Sequence, residues 1–447
     1  MAASDWQSHI QQLIRDHQIH TVRVCLHDNS NIPRSRYIPT RHFLETMMEG
    51  DFTFPSVLFS MDTSAAIQLG AGEGFAGGYP SWILKPDLST FGILPYSRGT
   101  ARVIADLYTS SDGKPVSVSP RHVLRRVLEQ YEREGYRVRG AFEYEFYVFT
   151  KTEKGMQPIW NGLQCFSEVK QAEVEDVLTS IMLALTEMGA YPEVANTEYG
   201  SGQFEVTHAP FWGMEIADMA FYYRTSIKEI LYKKGYTATF MSKPVASTSG
   251  SGSHLNQSLY NESGENLFYD PAKPDGLSDL CRWFIGGQLH HAGALCALTN
   301  PTINSYKRLQ SYSFAPTTAS WGYDHRGAMI RVPHKRGDHT RLENRLPGAD
   351  TNPYITLAAM LAAGLDGIRN RMEPPGFLKN QDAYIADVQS LPRTLSAALQ
   401  ALEQDELFKE WLGEDFIRHF MTLRYAELDR FNAHVTDWEL NEYLDLF

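Results

Sequence analysis

The chain has 447 residues, 43% of them hydrophobic and 12% aromatic. That is ample for a large core and suggests roughly two to three domains, or one large domain with an appendage. A formal charge of −12 and a pI near 5.7 argue against a nucleic-acid-binding or anionic-membrane surface. Cys25, Cys165, Cys281 and Cys296 show no metal-binding spacing and read as reduced, mostly buried thiols of a cytoplasmic protein.

The opening MAASDWQSHIQQLIRDH lacks the apolar stretch of a signal peptide and reads as an amphipathic helix. In residues 20–28, Val22, Val24 and Leu26 alternate with polar residues, which predicts a strand. Residues 69–80 are glycine-rich and read as loop, and 101–108 as a second strand. Ser119 suits an N-cap, Pro120 the first helical position and Gly135 the stop of the next helix. A domain boundary is placed near residues 100–115, giving domains 1–110 and 111–447. Beyond it, strands at GAFEYEFYVF, GQFEVTH, SGSHLNQSLY and RLENRLP alternate with helices over 174–188, 212–232, 278–298 and 352–370. The last of these is expected to be capped near 348–350, and the tail from Leu391 to be helical. The longest apolar run, 354–365, is too short to span a bilayer and predicts a core helix. The plan is α+β, with one polar sheet face and one packed on helices.

The polar face carries the chemistry. Glu143 and Glu145 lie two residues apart and project from the same side of a strand. Gln203 and Glu205, then His254, Asn256 and Ser258, then Arg341, Glu343 and Arg345 repeat the pattern, and Glu198 precedes a Gly-Ser-Gly turn. Carboxylates converging on one cleft repel one another unless a cation is present. Oxygen donors with one imidazole suit Mg²⁺ or Mn²⁺. Interleaved arginines suit a phosphate or carboxylate ligand, and the combination fits metal-assisted phosphoryl transfer from ATP. No GxxxxGK[ST] loop is present. A run of small residues, 246–253, lies before His254 and would let backbone approach a ligand closely.

KPVASTSGSGSHLNQS, NSYKRL, DHRGAMIRVP and RLENRLPGADTNPY, in this order and spacing, resemble the motifs of the glutamine synthetase family over nearly the whole chain. The resemblance implies a small N-terminal β-grasp domain followed by a catalytic half-barrel with surrounding helices. It implies a homo-oligomeric ring, hexamer or dodecamer, with sites shared between neighbours. ATP would phosphorylate the γ-carboxylate of glutamate, and an amine would attack the acyl phosphate. Two or three Mg²⁺ or Mn²⁺ ions would be held per site, one by Glu145, Glu198 and Glu205, another by Glu143, His254 and Glu343. Gly250, Arg308 and Arg345 would bind glutamate. Ser258, Arg326, Arg331 and Arg341 would face nucleotide and phosphate. Arg326, Asp28 and Glu343 would act in catalysis, Asp28 from the neighbouring subunit.

The chain departs from the family where ammonium is bound. Its QSYSFAP segment puts Phe314 where ammonium-using members carry a glutamate. Phenylalanine neither binds nor deprotonates ammonium, and it adds a large apolar surface. DNSNIPRSR keeps Asp28 and Arg34 of a second family segment, but Asn31, Ser35 and Arg36 replace two glycines and a lysine. Ser249 stands where Asn is usual, and Asn256 where a second histidine is common. The reading is a γ-glutamylamine ligase with an amine pocket at Asp28 and Phe314, accepting a bulky or aromatic monoamine. True glutamine synthetase, γ-glutamylpolyamine synthetase and a phosphotransferase on the same scaffold are the alternatives. Tyr384 reads as a surface residue, Trp321 as packing, and His290 and His291 as packing or interface.

Overall fold

The computed structural model describes residues 3–46, 52–162 and 165–447, with side chains from residue 6 onward. Helix α1 (Ala3–Asp16) precedes β1 (Thr21–His27), β2 (Pro33–Pro39), α2 (Thr40–Glu45), β3 (Phe52–Pro55), β4 (Ser81–Pro86), β5 (Gly92–Ile93) and β6 (Thr100–Thr109). These strands make one sheet in the order β2-β1-β6-β4-β3, with β5 also on β6. The β1–β6 pair is parallel and the other pairs are antiparallel. Val22, Val24, Val103 and Leu107 fill its core with Ile10 of α1 and Phe43 of α2. Strands β2 and β4 escaped the sequence pattern. The first is a polar edge strand, PRSRYIP, whose terminal proline an edge tolerates, and β4 lies inside the sheet between β6 and β3 with its proline at the strand end.

The second, curled sheet has ten strands and is built along β7 (Arg137–Thr152). Its members are β8 (Gly155–Pro158), β9 (Pro192–Thr197), β10 (Gln203–His208), β11 (Phe211–Trp212), β12 (Thr237–Thr239), β13 (Ser253–Tyr260), β14 (Trp321–Tyr323), β15 (Ile330–Val332) and β16 (Leu342–Asn344). The main path is β14-β15-β16-β13-β7-β10-β9. Alternation along β7 divides its two faces: Phe142, Tyr144 and Phe146 are fully buried, and Glu143 and Glu145 point into the cleft. Tyr144 stacks on Tyr223 of the helix Met214–Lys233 behind the sheet.

The other helices are Pro120–Arg133, Glu168–Glu173, Glu175–Glu187, Asp279–His290, Ala292–Thr299, Pro353–Arg369 and four in the tail between Leu395 and Tyr443. Ser119 and Pro120 take the predicted first positions, and Gly135 follows the helix end at φ +77°, although the Ser119 side chain makes no capping bond. The central helix Pro353–Arg369 is apolar on every side because it lies between other helices. A Cβ on Gly287 would meet the Ala363 carbonyl at 2.0 Å, and one on Gly367 the Trp283 carbonyl at 2.1 Å, so two helices cross backbone to backbone.

Three expectations change. The helix predicted over 278–298 is two helices, broken at His291, whose ring is held between Asp405 and Asp366. The strand RLENRLP shortens to Leu342–Asn344, because the Arg345 amide turns to the Met329 carbonyl. The cap of the central helix is Asn352, whose side chain accepts from the Tyr354 and Ile355 amides. Among the described residues no helix is long and apolar enough to cross a membrane.

Candidate active site

The sheet register brings the acidic residues together. Glu143 lies opposite His254 across β7 and β13, and Glu145 opposite Glu205 across β7 and β10. Glu343 of β16 lies opposite Asn256 and Arg331. Ligand atoms of Glu143, His254 and Glu343 lie within 4.8 Å of one another, and so do those of Glu145, Glu205 and His254. The imidazole therefore stands in both groups. Glu198 stands outside both. Its carboxylate takes a 3.0 Å bond from Asn196 Nδ2, is steadied by the Tyr199 amide and has Cys165 Sγ 4.0 Å away.

Charge in this cleft is unbalanced. Burial and the neighbouring Glu343 push Glu143 up to about 7, and burial with Glu198 does the same to Glu145. Burial and four facing carboxylates drive Glu205 well above the ordinary range, and burial raises Glu198. Burial and surrounding arginines hold His254 well below its ordinary value, so the imidazole is neutral and free to ligate. Glu343 goes the other way: burial would raise it, but Arg345 and Arg331 hold it low. Surplus carboxylate charge around a neutral imidazole fits a hard divalent cation such as Mg²⁺ or Mn²⁺.

The small-residue run that precedes His254 is pinned. Tyr147 Oη donates to the Ser249 carbonyl at 2.7 Å, Gln203 Nε2 to the Gly250 carbonyl at 3.0 Å, and the Gly252 amide to Glu145 Oε2 at 2.7 Å. Ser249 donates to Gln203 Oε1. A Cβ on Gly252 would meet Arg308 Nη2 at 2.7 Å and His254 Nε2 at 2.8 Å, so only glycine fits there. Sequence reading named Gln203 as a face residue but missed Tyr147, whose role depends on a loop far along the chain.

The arginines line the other side. Buried Arg308 donates to the Leu346 and Arg345 carbonyls, both at 2.9 Å, and burial lowers its pKa to about 10. Arg345 donates to Glu343 and, through Nε, to the Arg326 carbonyl at 3.0 Å. Arg331 Nη1 reaches Glu343 Oε2 at 2.6 Å. Asn256 is a bridge: Nδ2 donates to Glu143 at 2.7 Å, and Oδ1 accepts from Arg341 Nε at 2.8 Å. Ser258 is buried on β13, and the Arg326 side chain is exposed.

Asp28 is not brought to this cluster within its own chain. It is 1% exposed, pairs with Arg34 at 2.8 Å and accepts from the Ser30 and Ile32 amides. Burial nevertheless raises its pKa. The expectation that Asp28 serves the amine pocket of the neighbouring subunit meets a carboxylate whose oxygens are already engaged.

Phe314 is 51% exposed, at φ +59°, and its ring centre is 5.8 Å from that of Tyr199, the residue after Glu198. Tyr384 differs from its reading as a surface residue: it is half-buried, its ring centre 5.0 Å from Tyr312, and Arg345, Arg308 and the Phe314 backbone influence its phenol. Trp321 packs against Phe377, as expected, and His291 pairs with Asp405 and Asp366.

Residues 117–443 match the family described as glutamine synthetase, catalytic domain. The chain is 32% identical to a glutamate–isopropylamine ligase of a Pseudomonas species, over 98% of this chain and 97% of the relative. It is 37% identical to a glutamine synthetase of Thermotoga maritima, over 98% and 99%. A solved structure of GmaS with ADP superposes with a TM-score of 0.87 at 28% identity, covering 97% of this chain and 99% of the other.

Proposed function

The chain belongs to the glutamine synthetase family and is an ATP-dependent carbon–nitrogen ligase acting on glutamate; from that premise we propose that its acceptor is an organic amine and its product a γ-glutamylamide. The observation that carries this reading is Phe314, an exposed phenyl ring at the position where the resemblance expects the ammonium-binding glutamate. The similarity to the isopropylamine ligase and to GmaS supports it.

The γ-carboxylate oxygen of glutamate takes the terminal phosphoryl group of ATP, and ADP leaves. The amine nitrogen then bonds to the carbonyl carbon of the γ-carboxyl group as its C–O bond to phosphate breaks. The ammonium form gives up one proton before attack, and the nitrogen loses a second as the amide forms. Glu145, Glu198 and Glu205, and Glu143, His254 and Glu343, would hold divalent metal. When bound, Mg²⁺ or Mn²⁺ supplies positive charge to the phosphates. Arg308 and Arg345 would orient glutamate, with the Gly250 backbone alongside. Arg326, Arg331 and Arg341 would take up phosphate charge, and Ser258 would lie by the nucleotide. Asn256 holds Arg341 to Glu143, so the phosphate side and the metal side keep a fixed relation.

The reading includes a small N-terminal domain of residues 1–110 and a homo-oligomeric ring in the cytoplasm. In the ring Asp28 would contribute to a neighbour's site only if Arg34 released it. An active monomer that survives dilution would contradict the ring.

A glutamine synthetase proper is the second reading, favoured by the 37% identity to the Thermotoga enzyme. ATP-dependent phosphate release with glutamate and Mg²⁺ or Mn²⁺, measured over ammonium, alkylamines, arylalkylamines and polyamines, separates the two. Turnover with organic amines and little with ammonium supports the ligase. Turnover with ammonium alone overturns it.

A further inference from the structure

We infer that Tyr199 is a specificity-determining residue, forming with Phe314 an aromatic acceptor port that selects monoamines with an apolar body. The inference rests on the amine-ligase reading and names the substrate class within it.

Three observations carry it. First, the two rings face each other with centres 5.8 Å apart and planes inclined by 34°, yet they remain 49% and 51% exposed. Aromatic rings that are paired but half in water offer a surface for a further apolar group. Second, Tyr199 is joined directly to Glu198, whose carboxylate is steadied by the Tyr199 amide. An ammonium group drawn toward Glu198 therefore carries its substituent past the ring beside that carboxylate. The apolar part of the amine gains by leaving water against that ring.

Third, the segment bearing Phe314 is wound tightly. Tyr312 and Phe314 both adopt φ near +60°, a backbone region that bulky residues avoid. Ser313 Oγ bonds the Gln310 carbonyl at 2.6 Å, and the Gln310 amide bonds the Arg308 carbonyl at 2.8 Å. Tyr384 packs on Tyr312 from the far side. Phe314 is thereby held at a fixed place relative to Arg308, the residue assigned to glutamate. A polyamine would bring a second ammonium to these rings, where neither ring supplies an anion. A branched or aromatic monoamine would instead lay apolar surface on these half-exposed rings.

The test compares wild type, Tyr199→Ala and Tyr199→Phe with ammonium, methylamine, isopropylamine, phenylethylamine and putrescine, reading kcat/KM for each. Wild type should prefer isopropylamine or phenylethylamine over methylamine and putrescine. Tyr199→Ala should shrink the phenylethylamine-to-methylamine ratio by about tenfold, the discrimination expected of a few lost apolar contacts. Tyr199→Phe keeps the ring and should keep the ratio within about threefold. A uniform loss across all amines, an unchanged ratio in Tyr199→Ala, or putrescine as the preferred substrate overturns the inference. Wild type turning over ammonium alone would instead overturn the amine-ligase reading beneath it, so the two failures are distinguishable.

Discussion

Arg121 sits among Asp87, Asp106 and Asp218 between the two sheets, and each carboxylate is within 2.9 Å of a guanidinium nitrogen. Arg125 adds a second cation on Asp106, and Tyr354 donates to Asp218. Every charge there has a partner: Asp87 is held below the ordinary carboxylate range by Arg121 despite burial, and Arg121 is raised by its aspartates. The cleft of the large sheet gathers five glutamates from three strands and the turn after β9 and leaves four of them raised. Both regions are buried and acidic, and a cavity of about 600 Å³ opens beside the first. The difference is pairing: each aspartate touches an arginine, whereas among the described residues Glu143, Glu145, Glu198 and Glu205 form no ion pair. A satisfied network holds parts of a fold together, whereas an unsatisfied one is prepared for something that binds.

The largest expected effect lies in the paired cluster. Arg121→Ala leaves Asp87 and Asp218 without a cation, Asp106 keeping Arg125, and should cost about 3–5 kcal/mol of stability in urea unfolding. A loss below about 1 kcal/mol would mean that the aspartates find other partners or water. In the cleft, Glu145→Gln removes one of several repelling charges and should behave in the opposite way. Without metal it should unfold at the same or a higher urea concentration than wild type. Its ATP-dependent turnover should nonetheless fall by about 100-fold to 1000-fold, the range seen when one electrostatic contact to the reacting groups is removed. A destabilised but active Glu145→Gln protein would erase the distinction between the two regions.

Metal should act on one region alone. Mg²⁺ or Mn²⁺ at about 100 times its dissociation constant should stabilise wild type by about 2.7 kcal/mol, and Glu145→Gln by less. Chelator treatment should remove the gain. The increment in Arg121→Ala should match wild type, because its cluster binds no ion; a smaller increment would show that the two clusters are coupled.

Much of this contrast was legible in the sequence. Period-two placement of Glu143 and Glu145, of His254, Asn256 and Ser258, and of Arg341, Glu343 and Arg345 is a local pattern, and backbone geometry alone sends each set to one face. Strand β7, with Phe142, Tyr144 and Phe146 on its reverse, follows from the same alternation. What stayed hidden depends on distant partners. Nothing near Arg121 announces that Asp87 and Asp218 will meet it, and nothing near Tyr199 announces Phe314. Apolar periodicity continued through His291, so the helix break was invisible. It is made by Asp366 and Asp405, which no local window contains. Strand β2 was hidden for another reason: an edge strand is free to be polar, and this one carries Arg34, Ser35 and Arg36 in succession.

His291 gives the smallest effect and a pH-dependent form of the same contrast. Its Nδ1 lies 2.7 Å from Asp405 and its Nε2 3.1 Å from Asp366, with His290 the other titratable ring in contact. Burial disfavours the charged ring, but the two aspartates outweigh it and raise the pKa above 6.5. The folded chain therefore keeps this proton to a higher pH than the unfolded chain does. Its stabilising contribution is complete below about pH 6.5 and is lost as pH rises through the folded value. His291→Gln should accordingly be less stable than wild type at about pH 6, by around 1 kcal/mol, and the gap should narrow by about pH 9. Each aspartate faces a cation only while the imidazole is protonated; above that point the set resembles the metal-free cleft, with facing carboxylates and a neutral ring. A gap that stays constant or widens with pH would show that His291 is held by packing against Phe408 rather than by charge.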